Sequence, residues 1–95
     1  MDDDDFDPES ELHRQLRATE ELPVERTAGW HLGEAQALAA ELATDDLPTD
    51  AARERAETIR ELLGEFETTG DPTADDHVDA ARELAERLAT RSTEE

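Results

Sequence analysis

The sequence predicts an all-α fold, a small antiparallel bundle of three to four helices, and three observations predict it. Apolar residues recur at three- and four-residue spacing through four successive segments. No run alternates β-branched with polar residues as a half-buried strand does. Short connectors built from Pro, Gly and Asp separate the segments, which makes sequential helices antiparallel neighbours. With 95 residues there is room for one small domain and no second.

Met1 to Asp7 is a run of carboxylates with Phe6 as its one large apolar residue, and 1–7 reads as a flexible acidic tail. Asp7 and Pro8 form a helix start, with Asp7 as N-cap and Pro8 in the first helical position. Leu12, Leu16 and Thr19 make a narrow stripe that Leu22-Pro23 ends, so the first helix is expected over 8–22. Thr27 suits the cap of a second helix over 28–44, where Leu32, Ala35, Leu38, Ala39 and Leu42 share a face. Asp45-Asp46-Leu47-Pro48 then leads into a third helix over 49–68. Its stripe of Ala52, Ala56, Ile59, Leu62, Leu63 and Phe66 is the most regular in the chain.

Gly70 stands where a C-cap glycine belongs, and Asp71-Pro72 follows at once. Thr73-Ala74-Asp75-Asp76 resembles a capping box ahead of a fourth helix over 73–91. Val78, Ala81, Leu84, Ala85 and Leu88 form its apolar face. One helical domain over 8–91 results, with 92–95 as a second flexible tail. Gly29, Gly33, Ala37 and Ala40 add a small-residue stripe to the second helix. It fits a close helix crossing, and GC-rich coding accounts for it equally well.

Charge narrows the function classes. The chain has 28 acids against nine basic residues, all of them Arg, for a net charge of -19. So few scattered cations make direct nucleic-acid binding an unattractive reading. Cysteine is absent, which removes disulfides and thiolate chemistry. Apolar runs fall well short of the roughly 18 residues that a membrane span needs, and no secretory leader is present. Leu, Ile, Val and Phe number 16 of 95, a disorder-like composition that the helical periodicity argues against.

Acidity without Lys, rich in Ala and Thr, is similar to the proteins of salt-loving archaea. In concentrated salt the Debye length is about 3 Å or less, so carboxylates repel weakly while still holding water. In the third helix Asp50/Glu54, Glu57/Glu61 and Glu61/Glu65 are like-charged at four-residue spacing, and only Arg53/Glu57 is attractive. A high-salt cytoplasm is therefore the expected setting.

Candidate chemistry is sparse. Glu54/Glu57 and Asp76/Asp79 resemble the carboxylate pairs of all-α nucleotide pyrophosphohydrolases. An acid content this high yields about eight such pairs by chance, and the chain holds five. In a hairpin centred near Gly70 the two pairs are also offset by roughly 10 Å. Asp3, Asp5 and Asp7 alternate as in a calcium loop, but Pro8 stands where that loop needs Gly. We expect no catalytic, cofactor-binding or metal-binding residue, and no enzyme. Ser10 and Ser92 lack the Gly-rich elbow of a nucleophile.

Three residues stand out as candidate interaction residues: Trp30, His31 and His77. By helical angle His31 enters the apolar arc of the second helix and His77 edges that of the fourth. The two can meet as ligands with Glu34 nearby, but core or interface histidines are the expected reading. Trp30 lies on the polar side of its helix. It is either a partner-binding anchor or, as we expect, covered by the first helix.

The stretches Trp30-His31-Leu32-Gly33-Glu34-Ala35, Arg60-Glu61-Leu62-Leu63 through Thr69-Gly70, and Asp76-His77-Val78-Asp79-Ala80-Ala81-Arg82 carry a resemblance. Over about residues 9–90 the chain resembles small haloarchaeal proteins of an uncharacterised domain-of-unknown-function family. The resemblance implies organism class and cytoplasmic location, and transfers no functional residue. Two readings of function follow. The leading one is a protein–protein interaction or oligomerisation module, docking on an unknown protein or on itself. The alternative is an acidic nucleic-acid mimic that occupies a basic DNA- or RNA-binding protein, which requires carboxylates gathered on one face.

Overall fold

The computed structural model describes residues 7–44 and 46–90; of the expected tails, 1–7 and 92–95, all but Asp7 lie outside them. Four helices follow in order: α1 (Pro8–Arg17), α2 (Arg26–Thr44), α3 (Thr49–Leu63) and α4 (Pro72–Ala89). No strand occurs among the described residues. Each helix packs on the two beside it in a ring, α1 on α2 and α4, α3 on α2 and α4. That is the up-and-down arrangement short connectors enforce.

The core runs along the middle of the ring. Leu12 and Leu16 of α1, Ile59 and Leu63 of α3 and Val78 of α4 are buried almost completely. Leu32, Leu42, Leu84 and Leu88 join them, and Ala35, Ala39, Ala56, Ala81 and Ala85 fill the gaps between. The expected stripes are thus the faces that pack, although Leu38, Ala52, Leu62 and Phe66 are only partly buried at the margin.

The helix ends correct five expectations. α1 stops at Arg17, five residues before the expected end at 22. Buried Thr19 ends it by donating its hydroxyl to the Leu16 carbonyl at 2.6 Å, and successive tight turns carry the chain to Leu22. α2 begins at Arg26, so Thr27 lies inside its first turn. α3 ends at Leu63 with Gly64 as its C-cap, so the helix expected to reach 68 releases Phe66 into a loop. The cap of α4 is Asp71, whose carboxylate accepts from the Ala74 N–H at 2.9 Å, in place of the capping box expected at Thr73. α4 also closes at Ala89, two residues early.

Gly70 is no helix C-cap. It has φ +88°, a left-handed conformation that glycine alone adopts freely, and it turns the chain into Asp71. Next to it the Glu25 N–H donates to the Thr69 carbonyl at 2.7 Å. The α1–α2 and α3–α4 connections are thereby tied at one end of the bundle.

The small-residue stripe of α2 makes no crossing inside the bundle. Gly33 and Ala37 are exposed, and a Cβ on Gly33 would meet nothing within 4 Å. Gly29 alone is approached, by Val24 at 3.3 Å from such a Cβ.

Candidate functional site

Trp30 is 62% exposed, which overturns the expectation that α1 covers it. The cause is rotational. The buried residues of α2 are Ala28, Leu32, Ala35, Ala39 and Leu42, and Trp30 lies almost opposite their centre. α1 flanks α2 along the side of Gly29 and Gln36, where Val24 meets Gly29 and Gln36 donates to Glu20 at 2.7 Å.

Beside Trp30 a row of rings crosses from α2 to the α3–α4 connection. The Trp30 and His31 rings meet edge to face with centroids 5.1 Å apart and planes at 89°. His31 then faces Phe66 at 6.1 Å. The Arg82 guanidinium closes the row, 5.5 Å from the Phe66 centroid. His31 is held by its own helix: Nδ1 lies 2.8 Å from the Thr27 carbonyl. A carbonyl only accepts, so Nδ1 is the donor of this bond.

Phe66 and Arg82 belong to this surface, and sequence reasoning placed neither there. Phe66 reads as the last core position of the third helix, and Arg82 carries no reading of its own there. Arg82 donates from Nε and Nη2 to the Leu63 carbonyl at 3.1 and 2.8 Å, and from Nη2 to the Phe66 carbonyl at 2.6 Å. The last carbonyl of α3, that of Leu63, is thus satisfied from the next helix, as is the loop carbonyl of Phe66. Asp79 steadies the guanidinium at 3.2 Å. No local motif announces such a contact; the one hint is Gly64, which marks a helix end needing partners.

His77 and His31 engage different elements and do not form a pair. His77 Nδ1 contacts Gln15 Oε1 at 2.8 Å, joining α4 to α1. Gln15 Nε2 donates to Glu11 at 2.7 Å, which fixes the amide's orientation and leaves its oxygen for His77. Gln15 and then Arg14 hold the Glu11 carboxyl below the usual carboxylate range. His77 is thus an interhelix strut, and only His31 of the two lies beside Trp30.

Among the described residues no three His, Asp or Glu side chains converge to hold a metal ion. Glu54, Glu57, Asp76 and Asp79 all point to solvent. Arg53 pairs with Asp50 at 3.4 Å, three residues back, in place of the expected Glu57. No described helix is long and apolar enough to cross a membrane.

Fold and surface together define a small up-and-down four-helix bundle with one large exposed ring and a short aromatic row beside it. Its family follows from the sequence match: residues 8–95 fit the model of a domain of unknown function, DUF8152, and the chain belongs to that family. No curated protein and no solved structure matches it significantly.

Proposed function

We propose that the chain is a non-catalytic protein–protein interaction module, working in a high-salt cytoplasm, with Trp30 as its contact residue. One observation carries the reading. Trp30, the only tryptophan, is the single large apolar side chain left exposed among the described residues. A tryptophan held in water forgoes roughly 1.5–3 kcal/mol of burial, which a partner's surface restores. His31, pinned to Thr27 and backed by Phe66, limits the directions the indole can take, so little ordering remains for the bound state.

The test compares the wild-type chain with Trp30→Ala in molar KCl. The substitution removes an exposed ring, so helix content by circular dichroism should stay the same. Binding to whatever the wild-type chain engages, itself included, should weaken about tenfold or more. Equal binding by both chains would remove Trp30 from the contact and defeat the reading.

A further inference from the structure

The outer face of α2 is where charge is missing from this molecule. The chain has 28 acids, yet the nineteen residues of α2 include only Glu34 and Glu41, both on one side of Trp30. On the other side lie Arg26, Gly33 and Ala37, all exposed, and half-buried Ala40. A basic partner would be met by carboxylates, which this strip lacks. A partner carrying the same -19 charge needs the opposite, a face without carboxylates. The occupant the strip suits is a second copy of the chain.

We propose that α2 packs antiparallel on α2 of a second copy about a two-fold axis beside residue 35, an inference that rests on the Trp30 reading above. Two-fold pairing about that point joins positions whose numbers sum to seventy. Gly33 meets the partner's Ala37, so the backbones approach closely where a Cβ on Gly33 finds open space. Trp30 lies over the partner's Ala40, a large ring on a small residue, and the pairing repeats on the other side of the axis. Arg26 reaches the partner's Thr44, at the C-terminal end of that helix. α2 has no basic residue in its last turn, and Asp45-Asp46 follow it in sequence. Arg26 itself has no ion pair among the described residues. Each copy's Arg26 therefore supplies the positive charge that the other copy's helix end lacks.

Sedimentation equilibrium in molar KCl tests the pairing. The wild-type chain should show a reversible dimer that weakens as salt is lowered. Trp30→Ala should weaken it about tenfold or more. Ala37→Glu, which puts a carboxylate on an exposed position of each copy, should leave monomer with unchanged helix content. In Gly33→Cys/Ala37→Cys, oxidation should join residue 33 to the partner's 37; joining like to like would overturn the antiparallel register. A wild-type chain that is monomeric up to about 1 mM overturns the dimer. If it still binds another protein through Trp30, the interaction reading survives alone. A dimer indifferent to both Trp30→Ala and Ala37→Glu overturns the pairing and the Trp30 contact together.

Discussion

Asp75 holds Thr69 twice. Its Oδ1 accepts the Thr69 backbone N–H at 2.7 Å and the Thr69 hydroxyl at 2.8 Å, while Oδ2 takes the Thr68 hydroxyl at 2.7 Å. Thr69 is fully buried, and its carbonyl receives the Glu25 N–H that ties the two connections together. One carboxylate in the first turn of α4 thus organises the loop before its own helix and, through Thr69, the start of α2.

That arrangement predicts a pH dependence. The Thr69 N–H and the two threonine hydroxyls favour ionised Asp75, so its pKa is lowered from 3.8. A folded pKa below the unfolded one stabilises the fold above about pH 3.8 and loses that contribution as pH falls through the folded value. Asp75→Asn should lower the unfolding midpoint at neutral pH. It should also flatten the acid limb below 3.8 relative to wild type. Parallel acid limbs for the two chains would show that Asp75 is not the group responsible.

Arg82 gives a second prediction. Its guanidinium forks over the Leu63 and Phe66 carbonyls, a geometry a lysine ammonium does not reproduce. Arg82→Lys keeps the charge and loses the fork, and should cost about 1–3 kcal/mol in denaturant unfolding. Phe66 loses its support with it, so exchange of the Glu65, Phe66 and Glu67 amides should rise. A midpoint equal to wild type would mean that water replaces the guanidinium without loss.

Two substitutions separate core from surface. Ile59 is fully buried among Leu and Ala side chains, and Ile59→Ala should destabilise by about 2–5 kcal/mol. Gly33 sits in mid-helix beside open space, so Gly33→Ala should stabilise the isolated bundle by about 0.5–1 kcal/mol. Both are read from urea midpoints. An unchanged midpoint for Ile59→Ala would place the α3 core face elsewhere.

The sequence exposed the core because burial follows the helical period, and a stripe such as Val78, Ala81, Leu84, Ala85 and Leu88 has one side to hide. It placed the starts of α1 and α3 and the end of α2, but not the remaining helix ends, because these depend on contacts distant in sequence. Asp75 reads only as an interior position of the capping box expected from Thr73 to Asp76, yet its partners lie six and seven residues upstream. Phe66 kept the spacing of α3 although Gly64 had ended the helix. Trp30 was correctly assigned to the polar side of α2. The error lay in placing α1 over that side, when α1 flanks α2 along Gly29 and Gln36. A helical wheel gives angles about one axis and leaves open which neighbour stands at each angle.

The last prediction concerns salt. The described residues form four ion pairs, and only Arg55–Glu41, at 2.8 Å, joins two helices. Arg14–Glu11, Arg53–Asp50 and Arg82–Asp79 each lie within one helix at three-residue spacing, where a pair is worth a few tenths of a kcal/mol. Against them stands a net charge of -19, with Asp50/Glu54 and Glu57/Glu61 repelling along α3. Salt weakens both sets, but the repulsive set is larger. It therefore gains more from a Debye length that shrinks from about 30 Å at 0.01 M to about 3 Å at 1 M. Salting-out cations and anions aside, KCl alone should raise helix content and the thermal midpoint together across that range. Glu57→Gln should gain stability in dilute buffer by removing one repulsion, and the gain should fade in molar KCl. Full helicity at 0.01 M with no change on adding salt would show that the Ala-rich core outweighs the repulsion unaided, and would remove the physical reason for assigning this bundle to a high-salt interior.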